Sequence, residues 1–200
     1  KAEMHVVPDI FDYPERLARA TSAAAVCAEL TALTEPLGFP VYAIGALPHP
    51  EDPYPTAFLH QNWPEIWTRT YFERDFGAHD PALRAIAALG RPFTTDDIRA
   101  GRAGFQPTAE EREVLDFAAS IGLPQAFVAP IYRAQGYAGI ACLVGSAADP
   151  SPNLRARLQF LAEHTHDRLR ALSAATAAQG MGGALSPREI EILNLAQHGL

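Results

Sequence analysis

The order of apolar and polar positions along the chain divides it into alternating helices and strands. Apolar residues at helical spacing over residues 17–33 predict a first helix, which Pro36 and Gly38 end. An apolar run over 40–47 predicts a first strand, a second strand is expected over 57–61, and the proline-rich stretch between them predicts a loop. These two strands are expected to pair as a hairpin with a long connection.

The same alternation continues through the rest of the chain. Helical spacing predicts four more helices, over 64–76, 80–89, 109–121 and 153–174. A short extended piece is expected near Phe93, and two more strands are expected over 125–132 and 137–145. Gly136 suits a tight turn between these last two strands. Helices that alternate with hairpins predict an α/β fold, in which helices flank a mainly antiparallel sheet as an α-β-α sandwich.

The last residues carry the signals of a helix start. Ser186 is a good N-cap, Pro187 suits the first helical position, and Glu189 can complete a capping box. Leu185 before the cap can pack on Ile190 as a hydrophobic staple. An apolar stripe then continues at helical spacing, which predicts either the first helix of a helix-turn-helix or simply a capped amphipathic helix.

This ending resembles the DNA-binding domain of LuxR-type transcription regulators. The family pattern is Leu, Ser or Thr, any residue, Arg and Glu, then Leu four residues after the Glu, then Gly. The matching positions are Leu185, Ser186, Arg188, Glu189, Leu193 and Gly199. The resemblance implies that residues 185–200 are the N-terminal fragment of an all-α helix-turn-helix domain. The recognition helix would then follow Leu200, so we expect DNA binding by the intact protein and not by this truncated chain.

Composition and charge fit a soluble globular protein rather than a nucleic-acid binder. The chain is 48% hydrophobic and 20% charged, and its formal net charge is −7. Non-specific affinity for DNA comes largely from Lys and Arg, so these residues are poorly suited to grip phosphates. No apolar run approaches the roughly 18 residues of a membrane span. Cys27 and Cys142 are far apart in the sequence and suit small buried positions in a reducing cytoplasm.

A second motif lies in the middle of the chain. Trp63-Pro64 is followed by Trp67, then Tyr71, then Asp80-Pro81. The motif resembles the autoinducer-binding domain of LuxR-type quorum-sensing receptors, whose pattern is an aromatic residue before Pro, then Trp, Tyr and Asp-Pro. The resemblance implies that residues 1–174 form a sensory and dimerisation domain. The Gly-rich segment 175–184 would then be a flexible linker.

The ligand that the resemblance implies is an N-acyl homoserine lactone or a related acylated or aryl signal. Such a lactone offers two carbonyl acceptors, one amide N–H donor and an apolar tail. Trp67 would donate its indole N–H to the lactone carbonyl, and Asp80 would accept the amide N–H. Tyr71 would pack beside the ligand. Trp63 stands where the family usually has a tyrosine, and its indole N–H would donate to the amide carbonyl.

Further ligand-binding candidates follow from the strands and from departures from the family pattern. Period-two alternation places Leu59 and Gln61 on the face of Trp63. Leu83, Ala126 and Cys142 complete the candidate set. The family has Gly where this chain has Ala126, Ser or Thr where it has Cys142, and Trp where it has Thr95. The loss of an indole at Thr95 predicts a wider region for the acyl group.

Each assignment has a plainer alternative. Trp67 and Tyr71 lie four residues apart on one helix face and would also suit core packing. Asp80 before Pro81 would also suit a helix start alone. There are two alternative functions. The protein would be either a sensor for a non-lactone molecule or a ligand-independent dimerisation module with a solid core at Trp67 and Asp80. The leucine-rich face of the long helix, with Leu158 and Leu169, predicts part of a homodimer interface.

An enzyme is the remaining class. Residues 163–167 form the only cluster of metal-ligand residue types, but His164 and His166 are two apart on a helix and do not face each other. The tract therefore predicts a solvated helix face. The sequence has no nucleophile elbow, phosphate-binding glycine loop or paired CxxC. We expect no catalytic residues, no metal site and no cofactor apart from the ligand.

Overall fold

The computed structural model of the protein describes residues 10–46, 57–102, 105–134, 136–146 and 149–180. Two sequence predictions lie outside these residues: the proline-rich loop after the first strand and the helix-turn-helix fragment 185–200. The division of the chain into domains therefore stays a prediction.

Helices and strands alternate along the described residues. The helices are α1 (Tyr13–Arg19), α2 (Ala23–Thr34), α3 (Glu65–Glu73), α4 (Pro81–Leu89), α5 (Thr95–Arg99), α6 (Ala109–Ser120) and α7 (Pro152–Gly180). The strands are β1 (Val41–Ala46), β2 (Ala57–Gln61), β3 (Phe93–Thr94), β4 (Gln125–Arg133) and β5 (Gly136–Gly145). Short 3-10 helices cover Ile10–Asp12, Glu35–Leu37 and Phe76–His79.

All five strands form one antiparallel sheet in the order β2-β1-β5-β4-β3. The two predicted hairpins are both present, since β1 pairs with β2 and β4 pairs with β5. Gly136 has a φ of 110°, a value that side chains disfavour, so glycine is required where the second hairpin turns. Helices cover both faces of the sheet, and the predicted α-β-α sandwich is confirmed.

One face of the sheet packs on α1, α2 and α7. Phe127 of β4, Leu143 of β5 and Ile44 of β1 are fully buried there. Leu30 of α2 and Leu158 of α7 face them across the layer with no exposed surface. Because side chains alternate along a strand, the residues between these three positions point to the other face of the sheet, where a second and smaller apolar cluster lies.

The first predicted helix is two helices. The chain breaks at Ala20, which is extended (φ −72°, ψ 120°), and Ser22 then caps α2 by accepting a hydrogen bond from Ala25 N–H. Arg168 of α7 donates to the carbonyl of Ala20 at 2.6 Å and so holds the break against the long helix. The apolar periodicity continues through both helices, which is why it predicted only one.

The long helix α7 differs from its prediction in two ways. It continues to Gly180, the last described residue, so the prediction of a flexible linker is wrong for 175–180, which are helical in keeping with their content of alanine, the best helix former. Leu158 and Leu169 are 0% and 1% exposed and belong to the core against the sheet. The prediction that these two leucines form a dimer interface is therefore wrong, because the sheet covers them.

Helix α5 was not predicted. Thr94 and Asp97 form a complete capping box at its start, with Thr94 N–H donating to Asp97 Oδ2 at 2.9 Å. Arg155 of α7 and Arg102 donate to the two oxygens of Asp97, at 2.5 and 2.6 Å. Burial raises the pKa of Asp97, but the hydrogen bonds from Arg155, Thr94 N–H and Arg102 outweigh it and lower the pKa to about 2.

Candidate functional site

A cavity lies between the second face of the sheet and helices α3 to α6. The space in it that is open to the centre of a water molecule is about 90 Å³. One water needs roughly 10–15 Å³ by this measure, so the cavity has room for a small organic group. Its walls are mainly apolar and are formed by Val41, Trp63, Trp67, Asp80, Pro81, Ala82, Thr95, Ile98, Val114, Leu115, Ala118, Leu123, Pro124, Ala126, Val128, Cys142 and Val144.

Three adjacent strands form the floor of the cavity. Val144 of β5 is opposite both Val41 of β1 and Ala126 of β4. One pleat further along, Cys142 is opposite Val128. These five residues point to the same face because side chains alternate along a strand. Ala126 and Cys142 have small side chains, which leave space above the sheet that larger residues would fill.

Helix α6 forms the side of the cavity opposite the floor. Val114, Leu115 and Ala118 lie on one face of the helix, at spacings of one, three and four residues, and contribute to the lining. Glu111 on the same helix is held by Arg84 of α4, whose Nε lies 2.7 Å from Glu111 Oε1. Further ion pairs connect α6 to the preceding elements, from Arg74 to Glu113 and from Arg99 to Asp116.

An aromatic cluster forms the third wall. The ring centroids of Trp63 and Trp67 lie 6.1 Å apart, and the two ring planes are nearly perpendicular. Trp67 also lies 5.5 Å from the ring of Tyr71 and stacks on Phe117 of α6 at 6.0 Å. Phe76 is 5.7 Å from Phe117. These contacts fix the orientation of Trp67, and none of the described residues accepts a hydrogen bond from its indole N–H.

Asp80 is the one acidic residue in the lining among the described residues. Its Oδ1 accepts a hydrogen bond from Ala82 N–H at 2.9 Å and so caps α4, with Pro81 at the first helical position. Its Oδ2 accepts from the hydroxyl of Tyr71 at 2.9 Å. Burial raises the pKa of Asp80, while the hydrogen bonds from Ala82 and Tyr71 lower it in part.

The pKa values of two groups near Asp80, Cys142 and Tyr71, are raised as well. Burial, with the negative charge of Asp80 as a second cause, raises the pKa of Cys142 to about 12, so the thiol stays protonated at neutral pH. Burial and the same charge raise the pKa of Tyr71 well above its ordinary value. At neutral pH both side chains are therefore neutral, and Tyr71 is a hydrogen-bond donor to the carboxylate.

Thr95 adds a second polar group to the lining. Its Oγ1 accepts a hydrogen bond from Ala126 N–H at 2.9 Å, which connects the start of α5 to the floor strand β4. The residue is 6% exposed. The cavity wall therefore has a small polar residue at the position where the family pattern has a tryptophan.

The predicted site residues fall into two groups. Trp63, Trp67, Asp80, Ala126 and Cys142 all line the cavity. The other four candidates, which do not line it, are Leu59, Gln61, Tyr71 and Leu83.

Each residue of the second group has a defined place. Leu59 packs against the core on the opposite face, because a β-bulge in the β1–β2 pairing breaks the strict alternation that its prediction assumed. Gln61 accepts a hydrogen bond from the backbone N–H of Trp63. Leu83 is half-buried on α4. The hydroxyl of Tyr71 donates a hydrogen bond to Asp80, which lines the cavity.

The sequence prediction did not include the apolar residues of α5 and α6 or the valines of the floor strands. Val128 and Val144 each lie two positions from a predicted residue, so the alternation that selected Ala126 and Cys142 extends to them. Val114 and Ala118, spaced four apart, carry the ordinary signal of a core helix. Nothing in the sequence distinguishes a residue beside a cavity from one in a filled core.

The histidine tract in α7 is not a solvated face. Thr165 and His166 are 0% and 1% exposed, and Thr165 Oγ1 lies 2.7 Å from the hydroxyl of Tyr13. His164 is half-buried and lies against the ring of Phe160, with centroids 4.1 Å apart. In the part of the chain that the structure describes, no three histidine, cysteine or acidic residues are grouped so that they would hold a metal ion.

Comparison with known proteins gives three consistent results. The family described as the autoinducer binding domain matches residues 22–169. The chain is 32% identical over 191 residues to RpaR, an HTH-type quorum sensing-dependent transcriptional regulator of Rhodopseudomonas palustris, and this match covers 96% of the chain and 74% of RpaR.

Solved structures have the same fold. The LuxR family transcription factor CepR2 of Burkholderia cenocepacia, described as N-acylhomoserine lactone dependent, matches with a TM-score of 0.64 at 22% identity, over 82% of this chain and 96% of CepR2. SdiA of Escherichia coli matches with a TM-score of 0.65 at 21% identity, over 96% of this chain and 80% of SdiA. None of the described helices is both long enough and apolar enough to cross a bilayer.

Proposed function

Because this chain belongs to the LuxR-type quorum-sensing transcription regulators that carry an autoinducer-binding domain, we propose that its cavity binds an N-acyl homoserine lactone or a related acylated or aryl signal. The observation that carries the proposal is the joint position of Trp67 and Asp80 in one apolar cavity. A hydrogen-bond donor and an acceptor in the wall of one apolar cavity are what an amphipathic ligand requires.

In this proposal Asp80 accepts the amide N–H of the ligand. Each carboxylate oxygen already accepts one hydrogen bond, from Ala82 N–H and from Tyr71, and each has a second lone pair. Trp67 donates its indole N–H to the lactone carbonyl, and Trp63 beside it donates to the amide carbonyl. The acyl part lies against the valines of the floor and the inner face of α6.

Of the two alternative functions, the dimerisation module fits the structure less well. A ligand-independent dimerisation module would have a solid core at Trp67 and Asp80, whereas both residues line an open cavity. The capping of α4 by Asp80 is real, but it uses only one of the two carboxylate oxygens. A non-lactone signal is the second candidate, because SdiA has also been solved with octanoyl-rac-glycerol.

As a regulator of this family, the protein would link ligand binding to DNA binding in the cytoplasm as a homodimer. A ligand that binds only the folded protein stabilises it by mass action, so the populations of folded and DNA-competent protein follow ligand concentration. We expect the regulator to work by binding and not by catalysis, with no cofactor besides the signal. The residues that pair the two subunits would lie outside the Leu158–Leu169 face, which the sheet covers.

Asp80→Asn tests the proposal. Asparagine is as good an N-cap as aspartate, so α4 and the stability of the protein should be retained. The amide presents an N–H where the ligand needs an acceptor, so the affinity for N-octanoyl homoserine lactone should fall by about 1–3 kcal/mol. Isothermal titration calorimetry on both proteins measures the difference.

Asp116→Asn is the matched control. It removes a negative charge from the exposed side of α6, where Asp116 pairs with Arg99 and does not reach the cavity. This variant should bind the lactone as the wild type does. Equal affinities in the wild type and Asp80→Asn would show that Asp80 does not receive the ligand N–H.

A further inference from the structure

The cavity is smaller than the ligand that is proposed for it. The space open to the centre of a water molecule is about 90 Å³, whereas pockets that enclose drug-sized ligands measure about 300–1,000 Å³. A lactone with an acyl chain belongs to that larger size class. One wall of the cavity therefore has to move outward when such a ligand enters.

Three of the four helices around the cavity are firmly built into the fold. Helices α4, α5 and α6 each bury three residues, and each begins at a side chain that accepts a hydrogen bond from the first turn. In α5 and α6 this cap is a complete capping box, formed by Thr94 with Asp97 and by Thr108 with Glu111. Movement of any of these helices would expose residues of the core.

Helix α3 is built differently. None of its nine residues is buried, and Ile66 and Phe72 are 45% and 57% exposed. The helix begins at Pro64, whose side chain has no hydrogen-bond acceptor and so cannot cap the first turn. Most of the stability of a helix in a protein comes from the packing of one face. Helix α3, which contributes Trp67 to the lining, is therefore the wall that moves most easily.

The chain is fixed on both sides of α3. Before the helix, Asn62 Oδ1 accepts a hydrogen bond from Tyr42 N–H at 2.7 Å, and Asn62 N–H donates to the carbonyl of Tyr42 at 3.2 Å. After the helix, Phe76 is 4% exposed and packs on Phe117 of α6, with ring centroids 5.7 Å apart. The segment 63–75 can therefore move while its two ends stay in place.

We propose that α3 is a lid, which swings away from α6 to admit the ligand and then rests on the ligand, further out than it lies in this structure. The inference rests on the proposed function of the cavity and adds the element through which the ligand enters. Pro64 and Asp75 are the hinge positions at the two ends of the helix. Asp75 has a φ of 50°, which is uncommon for a residue with a side chain, so its backbone can rotate to a more ordinary conformation as the helix swings.

Contacts between α3 and α6 hold the lid in its closed position. The ring of Trp67 stacks on that of Phe117, with centroids 6.0 Å apart. Arg74, at the end of α3, forms an ion pair with Glu113, and the two side chains are 45% and 54% exposed. An exposed ion pair contributes little to stability, so this contact can open and form again readily. Because neither residue lines the cavity, the pair can be removed without a change in the ligand site.

The first test follows the lid in the ligand-free full chain. Hydrogen exchange, measured by mass spectrometry, should be about 10-fold or more faster in α3 than in α4 and α6, because a helix without buried residues opens locally. Glu113→Gln removes the ion pair and should speed the exchange of α3 further. Protection of α3 equal to that of α6 would overturn the lid.

The second test measures the entry of the ligand. Trp63 and Trp67 are the only tryptophans in the chain, so stopped-flow tryptophan fluorescence reports on this segment alone. With N-octanoyl homoserine lactone, the association rate constant should be about 2- to 5-fold higher in Glu113→Gln than in the wild type, because the lid opens more readily. The affinity should not fall, whereas structural damage to the site would lower it.

Asp116→Asn is the matched control. Asp116 is three residues further along α6, carries the same charge and pairs with Arg99 of α5 rather than with α3. This variant should leave the exchange of α3 and the association rate constant as they are in the wild type. Equal effects in both variants would overturn the assignment to the lid and attribute them to the charge of α6.

The outcomes separate this inference from the proposed function. An association rate constant that Glu113→Gln leaves unchanged would overturn α3 as the route of entry. Failure of the proposed function would be seen differently, as the absence of any saturable fluorescence change when the lactone is added to the wild type. The exchange measurement needs no ligand, so it decides whether α3 opens in either case.

Discussion

Asp80 shows how one side chain serves structure and binding together. One oxygen caps α4, which fixes the position of the carboxylate relative to the helix, and the other is held by Tyr71. The cap alone would explain an aspartate before a proline. The location of that carboxylate in the lining of an apolar cavity is what gives it a second use.

His166 is a buried base whose Nδ1 lies 3.6 Å from Oδ1 of the exposed Asp167, beyond hydrogen-bond distance. Its ring is 1% exposed, and among the described residues neither nitrogen has a hydrogen-bond partner. The ring lies against Gly139 of β5, where an added Cβ would be 2.5 Å from Nε2. Burial lowers the pKa of His166; Asp167 opposes this shift, and Arg133 and Arg170 add to it.

This lowered pKa predicts a pH dependence of stability. Below the ordinary histidine pKa of about 6.5, His166 binds a proton in the unfolded chain but stays neutral in the folded protein until the pH reaches its lower folded-state pKa. The free energy of unfolding should therefore be highest above that pH and should fall as the pH drops toward the folded-state pKa. His166→Leu, measured by urea unfolding across this range, should flatten the fall.

The exposed His79 provides the control for this titration. His79→Gln should leave the pH profile of the free energy of unfolding as it is in the wild type, because the side chain of His79 is exposed and lies outside the core. A profile in His166→Leu that remains as steep as that of the wild type would contradict the assignment of the titration to His166.

At the scale of elements, α7 is the helix that completes the core. It packs on α1, α2 and the sheet, and Leu158 has no exposed surface. Leu158→Ala should lower the free energy of unfolding by about 2–5 kcal/mol, because it leaves a cavity in a close-packed layer. Ser173→Ala, at an exposed position of the same helix, should have little effect. A loss of dimerisation without loss of stability in Leu158→Ala would contradict the intramolecular assignment.

The elements that the sequence predicted well are those with signals at their ends. Helices α4 and α6 begin at side-chain caps on Asp80 and Thr108, and the β4–β5 hairpin turns at a glycine. The break at Ala20 escaped prediction because apolar spacing continues across it. Helix α5 also begins at a capping box, but it escaped prediction because five residues are too few to show a helical period.

The candidate site was predictable only where a motif marked it. Trp67 and Asp80 carry a recognisable spacing, and both line the cavity. The contribution of α6 was not predictable, because a residue beside a cavity and a residue in a filled core obey the same periodicity. Leu59 was misplaced because the pairing register of β1 and β2 shifts between Ile44 and Gly45, and Gly45, the residue type that can mark such a bulge, lies on the partner strand and not beside Leu59.

On the scale of the whole molecule, the sheet separates two different interiors. One face bears the large core with α1, α2 and α7, and the other bears a smaller cluster beside the cavity. The Asp97–Arg155 ion pair connects α5, whose Thr95 and Ile98 line the cavity, to the first turn of α7. The helix that leads toward the C-terminus is thus fastened to the cavity wall as well as to the core.

This division predicts how the protein responds to its ligand. Occupation of the cavity adds contacts between the floor strands and α6 that the empty protein lacks, so ligand should raise the stability of the whole fold. At a free ligand concentration of about 100 times Kd, the gain should be about 2.7 kcal/mol, seen as a higher Tm in calorimetry.

Ala118→Trp should abolish the gain, because an indole at this lining position would occupy the ligand space. Arg112→Ala, on the exposed side of the same helix, should retain it. An equal rise of Tm in Ala118→Trp would place the ligand somewhere other than this cavity.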